Sequence, residues 1–170
     1  MMNFSGPAGE YRVASELCRR DLIATTFTRN MPGFDILVVS EKSITQAKIQ
    51  VKTILNGDWS LNSKRYINFD EKAFENGKQI VTGINNNKEC DFIVFVKLGR
   101  VVEEDKFYIL SDEEIKNIVR KDYSSFLERI NHTRPKNPQT THIGIKKESL
   151  TQFNNKWEKI TDYFKPTQGK

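Results

Sequence analysis

The chain has 170 residues, of which 37% are hydrophobic and 29% are charged, and its net charge is +5. This length fits one compact domain, and 11 Phe, 5 Tyr and 2 Trp exclude a disordered chain, which lacks such large packing side chains. No apolar run approaches the roughly 20 residues that span a bilayer, and the start of the chain lacks the pattern of a secretory signal. The sequence therefore predicts a cytoplasmic protein without a membrane segment.

The first predicted element is a helix over residues 7–20, because Pro7 suits a first turn and Val13, Ala14 and Leu17 share one face. A strand over 22–29 follows. The sequence Asn30-Met31-Pro32-Gly33 is typical of a turn, since Pro fixes one dihedral angle and Gly permits a positive φ.

A second strand over 34–39 completes a predicted hairpin, and a third covers 44–54. The third strand alternates strictly, which predicts one apolar and one polar face. The apolar face would carry Ala47, Ile49 and Val51, and the polar face Gln46, Lys48, Gln50 and Lys52.

The middle of the chain predicts a short helix near residues 70–76, a buried central strand over 91–98 and a partner strand over 106–110. Ser111 and Glu114 form a capping box that opens a further helix. The cysteines, Cys18 and Cys90, are too few for a disulfide framework or a four-ligand zinc site. We expect both to be buried thiols.

The C-terminal part of the chain predicts an amphipathic helix that starts at a capping box of Ser149 and Gln152 and ends before Pro166. Its apolar stripe consists of Leu150, Phe153, Trp157, Ile160 and Phe164. This stripe would pack on the core of the chain or form a contact in a dimer, since its spacing is also that of a coiled coil.

Positive charge is concentrated in the segment 129–147, which contains five Lys and Arg residues and no acid. Such a segment predicts either contact with a phosphate backbone or a solvated loop. A second basic stretch, 59–66, is predicted as a loop in which Lys64 and Arg65 accompany Trp59 and Tyr66. The two aromatic rings would stack on bases or cover the edge of the core.

Four polar residues near the front of the chain could form a catalytic site. Glu10 lies on the first helix, Asp35 begins the second strand, and Gln50 and Lys52 point the same way from the third strand. A carboxylate within the apolar sequence Phe-Asp-Ile requires a partner, because an unpaired buried charge is costly. Other interpretations are a structural ion pair of Asp35 with Lys52, a helix-dipole role for Glu10, and a solvated strand face.

These residues could also supply the oxygen ligands that Mg²⁺ prefers. The candidate ligands are the carboxylates of Glu10 and Asp35, the amide oxygen of Gln50 and the backbone carbonyl of Val51. A cation there would neutralise a scissile phosphate and lower the pKa of a water nucleophile, and Lys52 would orient that water.

The pattern Gly9-Glu10, Pro32-Gly33-Phe34-Asp35 and Gln50-Val51-Lys52 resembles the PD-(D/E)XK nuclease superfamily. The resemblance implies a restriction-endonuclease-like α/β fold, a mixed sheet of αβββαβ order flanked by helices, with additional C-terminal helices. One departure concerns Gln50, which occupies a position usually held by an acid. Some branches, including a homing-endonuclease branch and some resolvase-like and restriction enzymes, have Gln at this position.

The resemblance further implies a Mg²⁺-dependent DNA endonuclease, with Mn²⁺ as a substitute, in which Glu10, Asp35, Gln50 and Lys52 are catalytic. Its partner would be double-stranded or branched DNA, and a homodimer or higher oligomer would supply two active sites. The residues expected to contact DNA are Arg12, Lys64, Arg65, Arg129, Arg134, Lys136, Lys146 and Lys147. Residues 1–128 would form the nuclease core, and 129–170 would add the basic segment and the last helix.

Two other functions are compatible with the sequence. The missing charge at Gln50 favours an inactive nucleic-acid-binding module on the same fold. The C-terminal apolar stripe favours a protein–protein interaction domain.

Overall fold

A computed structural model describes residues 4–27, 31–41 and 43–165. The chain divides into two units that alternate along the sequence. The first contains the described residues up to Gly57, Lys88–Asp112 and the residues from Leu150 onwards; the second contains Asp58–Asn87 and Glu113–Ser149. The sequence predicted one boundary after residue 128, between a nuclease core and a C-terminal part.

The first unit is built on a five-stranded mixed sheet. Its elements are α1 (Ser5–Cys18), β1 (Ile23–Thr26), β2 (Ile36–Ser40), β3 (Ser43–Ile54), β7 (Phe92–Lys97), β8 (Lys106–Ser111) and α5 (Glu158–Tyr163). The strand order is β1-β2-β3-β7-β8, in which only β3 and β7 run parallel. The predicted α/β class, with a mixed sheet flanked by helices, is confirmed.

Helix α1 packs on this sheet because its apolar residues recur at helical spacing. Val13 and Leu17 are fully buried, and they share a core cluster with Ile36 of β2 and Ile49 and Val51 of β3. The alternation predicted for β3 is therefore correct on its apolar side. In the register, Ile36 lies opposite Ile49, so the start of β2 meets the middle of β3.

The second unit contains two short antiparallel pairs of strands. Its elements are β4 (Trp59–Asn62), β5 (Ile67–Phe69), α2 (Glu71–Glu75), β6 (Val81–Ile84), β9 (His142–Ile145) and all but the first residue of α3 (Asp112–Arg129). Strand β4 pairs with β9, and β5 pairs with β6. The stretch 59–66 is thus not a loop, because it forms β4 and the 3-10 helix Ser63–Arg65.

The buried side chain of Gln79 holds residues 130–142 on the second unit. Its Nε2 donates to the backbone carbonyls of Pro138 and Thr140, and its Oε1 accepts from the Tyr123 hydroxyl of α3. Its backbone N–H donates to the carbonyl of His132 at 2.8 Å. The basic segment is therefore fixed by long-range hydrogen bonds rather than being an open loop.

The prediction of one continuous C-terminal helix is wrong. The structure has α4 (Lys147–Leu150), the 3-10 helix Thr151–Phe153 and then α5. Asn155 has a φ of 53°, which an α-helix does not allow, and its N–H donates to the Phe107 carbonyl of β8. The chain leaves the helical path there because it pairs with the edge of the sheet.

The five apolar residues of the predicted stripe are nevertheless all buried within the chain. Trp157, Ile160 and Phe164 belong to the core cluster of the first unit. The stripe is therefore covered by this chain itself, and its side chains do not form an exposed dimer surface. Pro166 and residues 28–30 of the predicted strand and turn lie outside the described residues.

The two cysteines differ, which corrects the expectation that both are buried. Cys90 is buried, whereas Cys18 at the end of α1 is exposed, and both are free thiols. Among the described residues, no helix is long and apolar enough to cross a membrane.

Candidate functional site

The close contact between α1 and β3 depends on Gly9. This residue is buried, and a Cβ atom added to it would lie 1.9 Å from Oγ1 of Thr53. No side chain fits in that space, so glycine allows the helix backbone to reach the strand. The contact brings the next residue, Glu10, to the end of β3 that carries Lys52.

Asp35 is fixed to the same strand by two hydrogen bonds. Its backbone N–H donates to the Ile49 carbonyl at 2.8 Å, and its Oδ2 accepts from the Val51 N–H at 2.7 Å. A carboxylate that accepts a backbone hydrogen bond is held in one orientation. The polar partner that this apolar sequence requires is therefore the backbone of β3.

Gln50 and Lys52 project from one face of β3, with Val51 between them on the other face. The side chain of Lys52 is half-buried, whereas Gln50 is only 6% exposed. This burial departs from the solvated polar face that the alternation allowed. Gln50 and Lys52 lie opposite Ile93 and Phe95 of β7, both of which are fully buried.

Glu10, Asp35 and Lys52 share one electrostatic environment. Burial raises the pKa of the Glu10 carboxyl above 4.5, the nearby Asp35 charge raises it further, and Lys52 acts in the opposite direction. Two carboxylates that repel each other beside a lysine favour a bound cation or proton between them. The structure thus brings together three of the four residues predicted to be catalytic, with Gln50 on the same strand.

These groups fit a magnesium ion in donor chemistry. Mg²⁺ takes one or two carboxylates and completes its shell with water and substrate oxygens. Glu10 and Asp35 supply two carboxylates, and Gln50 and the carbonyl of Val51 lie in the adjoining stretch of β3. Among the described residues, no group of three or more His, Cys, Asp and Glu side chains could hold a metal.

Thr53 follows Lys52 on β3. Its Oγ1 is buried and has no hydrogen-bond partner among the residues that the structure describes. The hydroxyl faces the backbone of Gly9, so its position follows from the approach of α1. The signal that could have identified this contact is a small residue directly before the helix acid.

Cys90 is a second neighbour that sequence reasoning did not connect with this site. Burial raises the pKa of its thiol to about 12, the negative charge of Asp112 adds to the rise, and a hydrogen bond from the backbone of Gln50 opposes it. The thiol is therefore protonated at neutral pH and is not a nucleophile.

The residues predicted to contact DNA fall into two groups. Six of them, Lys64, Arg65, Arg129, Lys136, Lys146 and Lys147, are exposed on the second unit. Two are engaged within the chain. Arg12 pairs with Asp105 at 2.7 Å, and Arg134 donates to the Tyr123 hydroxyl and the His142 carbonyl.

The second unit also has an open groove of about 720 Å³ between α3 and β9. Arg129 and Lys146 line it, together with the acids Asp58 and Asp122. Trp59 and Tyr66 are buried, so the two aromatic rings cover the core rather than present faces to bases.

Comparisons with known proteins give a similarity of fold. The sequence matches no protein-family model and no curated protein. The structure is similar to the solved structure of a bacterial homing endonuclease, I-Ssp6803I, with a TM-score of 0.52 and 13% sequence identity. The similarity covers 94% of this chain and 93% of that chain, so it extends over both units.

Proposed function

We propose that this protein is a metal-dependent DNA endonuclease that hydrolyses phosphodiester bonds with a metal-activated water. The observation that carries the proposal is the convergence of Glu10, Asp35 and Lys52 on β3, where two acids and a lysine share one electrostatic environment. The similarity in fold to a homing endonuclease supports it independently.

In this proposal, Glu10 and Asp35 hold Mg²⁺ or Mn²⁺, and Gln50 and the carbonyl of Val51 provide further oxygens. When bound, the cation would neutralise the scissile phosphate and lower the pKa of the attacking water. The hydrogen bond from Val51 fixes the orientation of Asp35 before any ligand binds. Preorganisation of this kind avoids a cost of reorientation during the reaction.

Lys52 has a separate role. Its ammonium group orients the attacking water and stabilises the negative charge that develops on the phosphate. Half-burial strengthens this interaction relative to a fully solvated lysine, because the surrounding dielectric is lower.

The bound DNA is double-stranded or branched, and the exposed cations of the second unit contact its phosphates. Cutting both strands requires two active sites, so the active form is a homodimer or higher oligomer in the cytoplasm. The apolar stripe near the C-terminus does not provide its interface, since this chain buries it.

A second function deserves a direct test because of Gln50. An amide oxygen brings no charge, so the site has two carboxylates and binds cations more weakly than a site with three. An inactive DNA-binding module on the same fold would show the same structure. The alternative function as a protein–protein interaction domain rested on the C-terminal apolar stripe. This chain buries that stripe, so the alternative is no longer supported by it.

The experiment measures cleavage of supercoiled plasmid, branched DNA and a random-sequence duplex library with Mg²⁺ or Mn²⁺. We expect the wild type to cut, and Lys52→Ala to lose at least about 100-fold in rate. Lys48→Ala is the matched control, because Lys48 is an exposed lysine on the same face of the same strand. Salt-sensitive binding without cutting would identify the binding module instead, and equal activity of both variants would remove Lys52 from the mechanism.

A further inference from the structure

The strands β4 and β9 form a two-stranded ribbon with one buried and one exposed face. Trp59, Leu61 and Ile145 are buried, whereas the residues between them point outwards. The outward residues are Ser60, Asn62, His142 and Gly144. In the register, Asn62 lies directly opposite His142, and Ser60 lies opposite Gly144.

The exposed face of this ribbon is polar and shallow. Ser60 is small, and Gly144 has no side chain. A Cβ atom at Gly144 would lie 3.1 Å from Cβ of Asp58, so a larger residue there would displace its neighbour. A shallow face with hydrogen-bonding groups can approach another polar surface closely.

Asn62 is held in one orientation. Its Oδ1 accepts hydrogen bonds from the Lys64 N–H at 3.2 Å and from Oγ1 of Thr141 at 2.8 Å. Both lone pairs of this oxygen are therefore used within the protein. The amide presents its NH₂ group, a hydrogen-bond donor, to an incoming ligand.

Positive charge brackets the ribbon at both ends. Lys64 and Arg65 follow the end at which Asn62 meets His142, and Lys146 and Lys147 follow the end at which Trp59 meets Ile145. All four are exposed, and Lys64 also lies 4.0 Å from the ring centroid of Phe74. Four residues of an antiparallel strand span about 10 Å, so the two basic ends are separated by slightly more than that.

We propose that the β4–β9 ribbon enters the major groove of duplex DNA and that Asn62 and His142 read base edges there. The inference rests on the proposed function and adds the element that gives it sequence specificity. The major groove is about 12 Å wide and admits a two-stranded ribbon, and phosphates line both of its walls. The bracketing lysines and arginine match that distribution of charge, and the polar face between them matches the base edges.

The fixed amide of Asn62 restricts which base it can contact. In the major groove, guanine, adenine and thymine each offer an acceptor, whereas cytosine presents only its N4 donor. Two donors that face each other cannot form a hydrogen bond. Cytosine is therefore disfavoured at the base that Asn62 contacts.

The test selects bound sequences from a random duplex library, without Mg²⁺ or Mn²⁺ so that binding is separated from cleavage. The wild type should yield a motif with one position depleted in cytosine. Asn62→Asp keeps an oxygen for Lys64 and Thr141 but replaces the donor by an acceptor, which accepts from N4 of cytosine. We expect cytosine to rise about tenfold at that position, equivalent to about 1.4 kcal/mol.

Asn117→Asp is the matched control, because Asn117 is an exposed asparagine on α3 and the change in charge is the same. Its motif should equal that of the wild type. A second variant, His142→Ala, should relax the preference at a neighbouring base pair, and a thermal melt of each variant verifies folding.

Four outcomes separate this inference from the proposed function. A motif that survives both Asn62→Asp and His142→Ala overturns the ribbon as the reading element, as does wild-type binding with no sequence preference. A motif that changes as expected in a protein that never cuts supports the ribbon and removes the endonuclease. A wild type that binds no duplex at low salt overturns both.

Discussion

The region around β3 and the region around Gln79 both keep polar groups inside the protein, but they do so differently. At β3, backbone groups position the acidic side chains. The Val51 N–H donates a hydrogen bond to Asp35. Gly9, which has no side chain, lets the helix backbone approach the strand and so brings Glu10 close to it. Around Gln79, one side chain bonds to residues that lie 44 to 61 positions away in the sequence. The first arrangement follows from strand register, and the second depends on a single side chain.

The largest expected effect comes from breaking the arrangement around Gln79. Gln79→Leu would leave the Tyr123 hydroxyl and the carbonyls of Pro138 and Thr140 without the partner they have here. Buried polar groups without partners cost about 1–3 kcal/mol each, so we expect the free energy of unfolding to fall by about 3 kcal/mol or more. Urea denaturation measures this change.

Gln139→Leu is the control, because Gln139 is exposed in the same part of the chain. Hydrogen exchange should show Gln79→Leu releasing residues 130–142. Unchanged protection of these amides would mean that other contacts fix the basic segment.

The contact between α1 and β3 can be broken by adding one methyl group. In Gly9→Ala the new Cβ would overlap Oγ1 of Thr53, so the helix or the strand has to move. Overpacking of this kind costs about 2 kcal/mol. We also expect cleavage to fall at least about tenfold, because Glu10 moves away from Asp35.

Gly6→Ala provides a control on the same helix, since a Cβ at Gly6 meets nothing within 4 Å. It should keep or slightly raise stability, because Ala favours helix more than Gly does. Adding Thr53→Ala to Gly9→Ala removes the two shortest contacts and should restore part of both losses. No recovery in the double variant would show that the contact with Thr53 is not the cause.

Sequence analysis predicted the first region well because its signals are local. The apolar face of β3 is visible as an alternation within a few residues and is buried as predicted. The apolar sequence around Asp35 likewise indicated that its carboxylate needs a partner, and the Val51 N–H donates to it. The region around Gln79, like the rest of the second unit, gives no such local signal. Strands β4 and β9 have four residues each and lie 80 residues apart, so neither shows a period that a sequence pattern can reveal.

The incorrect prediction of one continuous C-terminal helix has the same cause. The stripe from Leu150 to Phe164 has helical spacing and is buried as an apolar stripe should be. The helix nevertheless breaks at Asn155, which bonds to Phe107 of β8, a residue nearly fifty positions earlier. Periodicity predicts which residues are buried, and it does not detect a distant strand edge that competes for the backbone.

Changing Gln50 to Glu tests the region around β3, because it adds a negative charge to a site whose backbone geometry is already fixed. Gln50 is nearly buried, so an added carboxylate should lower the stability of the metal-free protein by about 1–2 kcal/mol. It should also strengthen cation binding, because the site then has three acids. Thermal melts with and without Mn²⁺ measure both effects, and a stabilisation by Mn²⁺ no larger than in the wild type would show that Gln50 lies outside the metal site.

The smallest expected effect concerns the pH dependence of stability. The pKa of Glu10 is raised in the folded state, chiefly by burial, so the folded protein binds this proton more tightly than the unfolded chain does. The contribution of Glu10 to stability is thus most favourable below pH 4.5 and declines as the pH rises through the folded pKa. Above that range, the wild type contains a carboxylate that the fold disfavours.

Glu10→Gln removes this cost and should stabilise the metal-free protein near neutral pH, on the order of 0.5 kcal/mol because partial exposure screens the charge. The gain should disappear at pH 3.5, where Glu10 is protonated in both states. Glu103→Gln, an exposed acid in the first unit, should change neither value. A variant that is more stable than the wild type and yet does not cut would show that Glu10 is kept for its chemistry. Equal stability at every pH would mean that neither burial nor the repulsion from Asp35 destabilises the Glu10 carboxylate in the folded protein.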